Sequence, residues 1–291
     1  MMNLIRADTY RILRGKAIYI TFAILFAITA LMVLGLRFSL ELASQHLPAE
    51  EFLIVEEAMT YAFGGMEGFD MLVQVLLTAV SILPYFMIAL ISLTSCDMFT
   101  HGTVKNSLSR GMCRVKLYVS KLVLSSVLTL VLLVFYVLSG MVMVFLAESP
   151  VSPLPWSEWV FTLVLQYLIL LAITFVGVSL AFIIRSEGAF IGAFIAFCLV
   201  PQVIFGISAF FSPNFEWLIN LDFLSTLTRL SGSPFNIDQS DSMLIIGVAG
   251  LSSPPYEMTY FDYILVFSTA IFYSIIATAA GITLFRKAEI K

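Results

Sequence analysis

Met98–Lys121 reads MFTHGTVKNSLSRGMCRVKLYVSK. Five cations, Lys105, Arg110, Arg114, Lys116 and Lys121, fall within seventeen positions, a third of the fifteen basic residues in a chain of 291. The rest of the chain has the opposite character: 60% of it is hydrophobic, 12% is charged, and the mean hydropathy is +1.01. Burying the five cations at bilayer depth would cost roughly 3 kcal/mol each on the insertion scale. The stretch therefore belongs in water or among headgroups, and the apolar sequence around it belongs in the membrane.

Six runs reach the roughly 20 apolar residues needed to cross hydrocarbon: near Ala17–Leu36, Leu72–Cys96, Leu117–Ala147, Trp159–Ile184, Gly188–Phe211 and Phe261–Phe285. The alternating ten-residue segments of a membrane barrel are missing, so the backbone hydrogen bonds must close within helices. The expected fold class is all-α, a single polytopic membrane domain over residues 1–291 with six transmembrane helices. Arg6, Arg11, Arg14 and Lys16 ahead of the first run imitate a signal peptide. That run is too long for an h-region and no small-x-small cleavage site follows Leu36, so an uncleaved first span is expected.

An even number of spans puts both termini on one side, and Lys and Arg select the cytoplasmic side of short loops. With the N-terminus inside, thirteen of the fifteen cations are cytoplasmic and only Arg37 and Arg229 are external. Asp8, Asp97, Glu187 and Glu289 are then the inner acids, and the other fifteen of nineteen are outer, a formal +9 against −13. Two sizeable outer segments result, residues 38–70 and 212–260. The first carries PAEEFLIVEEAMTYAF, where Pro48, Glu50 and Glu51 suit a helix start and Gly64 with Gly65 its end. The second carries FEWLINLDFLSTLTRL and MLIIGVAGL, too short to span, and expected to lie at the interface or to re-enter between helices. Trp156, Trp159 and Trp217 are expected at the outer boundary as an aromatic belt.

Several kinds of chemistry are poorly served by this sequence. Cys96, Cys113 and Cys198 make no C-x-x-C pair, and with only His46 and His101 as imidazoles no metal cluster is expected. Gly15-Lys16 is followed by Ala17, so there is no Walker A loop. Glu56-Glu57 has no histidine on a span to join it, and no G-x-S-x-G elbow accompanies a base. Neither an enzyme, nor a directly bound cofactor, nor a nucleic-acid partner is expected. The runs 72–96, 122–147, 160–184, 188–211 and 263–285 contain no Asp, Glu, His, Lys or Arg, which argues against a proton-coupled carrier. Pro84 and Pro201 are expected to kink their spans, and Gln74, Gln166 and Gln202 to tie helices together. Gly188, Gly192 and Ala196 form a small-xxx-small ladder, suited either to packing within the subunit or to a dimer seam.

Within the opening stretch, Thr103 can N-cap a short helix after Gly102. Val104 and Leu108 then share a face at i, i+4, and Gly111 is placed to end the helix. GTVKNSLSRGMCRVKLYVSK, Gly102–Lys121, resembles the GT(I/V)KN-x-LS-x-G-x-x-R-x-x-(I/L)Y-x-SK segment that follows the second span of ABC-2 type transporter permeases. The likeness is to the small bacterial six-span subunits associated with lantibiotic, bacteriocin and other peptide-antibiotic transport. LIRADTYRILRGKAIYI, Leu4–Ile20, is similar to the amphipathic elbow helix ahead of their first span.

The resemblance implies a half-transporter in a bacterial plasma membrane, with both termini cytoplasmic and no motor of its own. Two such permeases, identical or related, would sit on two separate ABC ATPase subunits, ATP acting through those partners. It implies a coupling loop over residues 97–116 whose short helix presents Gly102, Thr103, Val104, Lys105, Asn106, Leu108, Ser109, Arg110 and Gly111 to the ATPase. Asp97 stands slightly upstream of the Gly-Thr pair, where family members commonly have a glutamate. Arg11 and Arg14 are expected to meet membrane lipid phosphate. The function implied is export or expulsion of an antimicrobial peptide or similar amphiphile, which the acidic outer face would concentrate if cationic. The alternative is an ATPase-independent facilitator, or a membrane scaffold or anchor.

Overall fold

The structure of the protein, a computed structural model, describes residues 2–46, 48, 68–100, 102, 104, 108–109, 111, 113–147, 156–211, 222–232 and 260–287. Regular structure among the described residues is helical throughout. Six of these helices are long and apolar enough to cross a membrane: Lys16–His46, Gly68–Thr100, Arg114–Ala147, Trp159–Ile184, Glu187–Ile204 and Tyr263–Lys287, here spans one to six. They fall on the six apolar runs, except that the helix of span one continues past Leu36 to His46; the helix of span five ends at Phe211, as its run does.

Lipid tails are as apolar as Leu, Val and Phe, so close approach and hydrogen bonds specify which spans pair. Gly281 lets Tyr118 of span three lie against span six, where a Cβ would stand 2.5 Å from the tyrosine hydroxyl. That hydroxyl shares a hydrogen bond with Ser179 of span four at 2.8 Å, and Ser179 Oγ donates to the Ala277 carbonyl of span six at 2.7 Å. Thr129 of span three and Thr174 of span four share another at 2.9 Å. Spans three, four and six are thereby tied into one unit.

Span two is not a uniform α-helix. It runs α over Gly68–Thr78, tightens to a 3-10 turn at Ala79–Ile82, and resumes α over Leu83–Ile91. It then widens to a π turn at Ser92–Cys96 and ends in Asp97–Thr100. Pro84 explains the first irregularity, since it lacks an N–H and its ring crowds the preceding turn. The Val80 carbonyl, left by Pro84 without its i+4 donor, accepts the Leu83 N–H instead, the tighter pairing of a 3-10 turn, and the turn of helix just before it is held by neighbouring spans. Tyr136 Oη of span three donates to Leu76 O at 2.7 Å, and Gln166 Nε2 of span four donates to Leu77 O at 3.2 Å. The kink expected at Pro84 is thus a 3-10 turn, with two neighbouring spans holding the helix just ahead of it. Gln166 ties helices as expected.

In the segment 212–260 the structure describes one helix, Phe223–Gly232, of ten residues. At 1.5 Å per residue it is about 15 Å long, half the hydrocarbon thickness. It packs against the first half of span two and against span four, burying Leu224, Leu227 and Leu230. The Phe223 ring lies 4.8 Å from Tyr273 and 5.8 Å from Phe197, residues midway along spans six and five. Packed between spans with its start level with the middle of spans five and six, this helix fits the re-entrant placement of the two open from sequence. Trp159 stands at the start of span four, but at 5% exposure it is turned into the chain and not toward lipid, which corrects the belt expectation for this residue; the Trp156 side chain lies outside the described residues. The helix expected after Pro48, the MLIIGVAGL piece and Trp217 lie outside the described residues.

Candidate functional site

At the opposite end of the bundle the N-terminal helix Met2–Arg14, the last turn of span two, the start of span three, the 185–187 turn and the end of span six converge. Arg11 Nη1 lies 2.8 Å from Asp97 Oδ2. Lys121 Nζ donates to Asp8 Oδ2 at 2.8 Å. Arg114 Nη1 donates to the carbonyls of Phe285 at 3.4 Å and Arg286 at 3.0 Å, covering the C-terminal end of span six. Ser92 Oγ, in the π turn, donates to Glu187 Oε1 at 2.7 Å. The described basic residues that composition assigned to one side of the membrane do share one face of the fold.

Sequence reasoning groups Lys121 with the cations in water or headgroups. The structure corrects this: Lys121 is 2% exposed, inside the helix of span three, with its partner 113 positions away. Arg11, expected to meet lipid phosphate, pairs with Asp97 and approaches Asp8 at 3.9 Å. Lys121, Asp8, Arg11 and Asp97 therefore form a chain of alternating charge linking span three, the N-terminal helix and the end of span two. The signal that could have found it is the scarcity of acids here. Asp8 is the sole acid of the N-terminal helix, and a lone carboxylate among buried cations is the natural partner.

Beyond Asp97, Val104 and Leu108 turn toward the bundle, whereas Ser109, Gly111 and Cys113 are exposed. Gly102 adopts φ +64°, a left-handed conformation that suits glycine, with its N–H on Phe99 O at 3.2 Å, closing the Asp97–Thr100 turn. Val104 is 2% exposed within the core and Leu108 packs half-buried against it, while Ser109 is exposed. Gly111, at φ +81°, donates its N–H to Leu108 O at 3.0 Å. Thr103, Lys105, Asn106 and Arg110 lie outside the described residues. Cys113 follows, exposed at the start of span three. Backbone N–H groups of Val115 and Lys116 point at its thiol and hold it below the usual thiol range.

A second site lies inside the bundle. Asp222 caps the re-entrant helix: Ser225 donates to Asp222 Oδ2 through its N–H at 3.0 Å and its hydroxyl at 2.6 Å, and Thr226 N–H reaches the Asp222 carbonyl at 3.0 Å. The residue is 2% exposed and directly precedes Phe223, whose ring packs on Tyr273 and Phe197 midway along spans six and five. Sequence reasoning counts Asp222 among the outer acids and treats the membrane interior as free of charged groups. The runs 72–96, 122–147, 160–184, 188–211 and 263–285 do lack them, but the helix that Asp222 caps brings a carboxylate level with the middle of spans five and six. Hydropathy reads whether a segment spans, not how deep a shorter one dips.

Residues 49–291 match the family described as Protein of unknown function (DUF2705). The chain belongs to that family. No curated protein matches it. The DUF2705 match takes in spans two to six, Asp97, Lys121 and Asp222, and leaves out the N-terminal helix with Asp8 and Arg11. The small-residue ladder of this DUF2705 chain, Gly188, Gly192 and Ala196, is exposed. Nothing stands within 4 Å of where a Cβ on Gly188 or Gly192 would be. Packing within the subunit is therefore not its role among the described residues.

Proposed function

We propose that the chain is the permease subunit of an ABC-2 type transporter, forming the substrate path and moved by two separate ATPase subunits that press on residues 97–116. Support comes first from the density of the Gly102–Lys121 resemblance. The single observation that carries the reading is mechanical: the stretch is not a free loop, because Val104 is seated in the core and Asp97 is bound to Arg11 at 2.8 Å. A push there would reach span two through its π turn, a helix irregularity that recurs at functional sites, and span three through Asp8 and Lys121.

In this reading the basic face is cytoplasmic, in a bacterial plasma membrane, and a short coupling helix spans Gly102 to Gly111 with Lys105, Asn106 and Arg110 facing the ATPase. A second permease, identical or related, would meet the exposed face of Gly188, Gly192 and Ala196. The cargo would be an antimicrobial peptide or similar amphiphile. Affinity purification from native membranes in mild detergent tests this: an ATPase carrying a Walker A loop should co-purify. Changes at Asn106 or Leu108 should uncouple ATP hydrolysis from transport at unchanged membrane abundance. Recovery of the chain with no nucleotide-binding subunit refutes it.

One observation favours a second reading, an ATPase-independent carrier. Asp222 is a buried carboxylate at membrane mid-depth, and such groups often serve ion or proton paths. Vesicles holding this chain alone separate the two: flux that Asp222→Asn abolishes supports the carrier, and no flux without added ATPase supports the permease.

A further inference from the structure

Between the ends of spans four and six, on the basic face, lies a cleft of about 310 Å³ lined by Phe182, Ile183, Arg185, Leu284 and Lys287. Its two halves differ in chemistry. Arg185, in the turn after span four, and Lys287, at the end of span six, bring two cations to its lining. Ile183 and Leu284, 44% and 48% exposed, present apolar walls facing out of the bundle, and the buried Phe182 ring is braced edge-on by Phe285 at 4.8 Å. The acid two residues beyond Arg185, Glu187, accepts the Ser92 hydroxyl at 2.7 Å. The last carbonyls of span six are covered by Arg114, which limits the negative end of that helix dipole.

Arg185 has a second peculiarity. Its φ is +59°, and its N–H closes on Ala181 O at 3.0 Å, so it occupies the left-handed position just past a helix end where glycine is the unstrained choice. A cation is kept there in spite of the backbone. We propose that this cleft binds the phosphate of an anionic phospholipid headgroup between Arg185 and Lys287, with an acyl chain running down Ile183 and Leu284. The volume accepts a headgroup and not a whole lipid, and the apolar walls open toward the bilayer, where the chain would lie. Paired cations at such depth are what an anionic headgroup would meet.

Native mass spectrometry of the purified chain, taken from mixed phosphatidylglycerol and phosphatidylcholine micelles, counts retained lipid. Wild type should retain phosphatidylglycerol preferentially, and the preference should fall about fivefold for each cation removed in Arg185→Gly and Lys287→Ala. Arg185→Gly suits the backbone angle, so its melting temperature without anionic lipid should be no lower than wild type, which separates lost binding from lost folding. Arg6→Ala with Lys16→Ala, on the same face but outside the cleft lining, should change nothing. An equal loss in that control makes the retention general surface attraction and overturns the site. Full displacement by millimolar inorganic phosphate overturns a lipid ligand in favour of a free anion.

Discussion

Removing Lys121 or Asp8 tests the structure where it departs furthest from the sequence. The pair is 2.8 Å apart, with side chains 2% and 14% exposed, so neither charge can turn to water without moving a helix. Breaking a buried pair by deleting one partner costs about 3–5 kcal/mol, whereas replacing both with apolar residues is often neutral. Lys121→Met leaves Asp8 with Arg11 at 3.9 Å, itself already held by Asp97 at 2.8 Å, and is placed at the low end, about 3 kcal/mol. Asp8→Leu leaves the more deeply buried ammonium, and is placed at about 4 kcal/mol. The double variant should return to within about 1 kcal/mol of wild type, a coupling of about 6 kcal/mol or more. Detergent-titration unfolding of the four proteins measures the cycle. Each single variant should also expose the N-terminal helix to trypsin at Arg6 and Arg14 while the double does not. Single effects that simply add in the double variant would refute the pairing.

Three other outcomes follow. Tyr136→Phe removes the span-three hydroxyl that donates to the Leu76 carbonyl just ahead of span two's 3-10 turn and should cost about 1–3 kcal/mol in the same assay; no change would mean that this carbonyl needs no outside donor. Gly281→Ala drives a methyl into the Tyr118 ring and should lower the melting temperature, with Tyr118→Ala in the same background recovering part of the loss; a rise on Gly281→Ala alone would place spans three and six further apart. Cys113 is exposed, whereas Cys96 and Cys198 are buried, so native protein should take up one maleimide. The lowered thiol pKa puts thiolate there at lower pH, so the labelling rate should reach half-maximum below the ordinary value of about 8.5. In whole cells a membrane-impermeant reagent should label Cys113 only after permeabilisation, and labelling of intact cells would invert the proposed topology.

The six spans and the gathering of basic residues at one end were legible residue by residue, because entry into hydrocarbon is decided by the local transfer free energy of some twenty side chains. Gln166 as an interhelical tie was legible on the same ground, since a lone amide at depth must find a partner. The positions of Lys121, Asp222 and Trp159 were not. Each depends on how far a helix is rotated or how deep it sits relative to elements far away in the chain, and nothing in a local window records rotation or depth. Composition settled that this protein lives in a membrane as a bundle of helices. Only the packing of those helices decided that a lysine at the end of a span is neutralised by the N-terminal helix, and that a carboxylate from a loop comes to rest midway across, because both are set by partners that hydropathy cannot see.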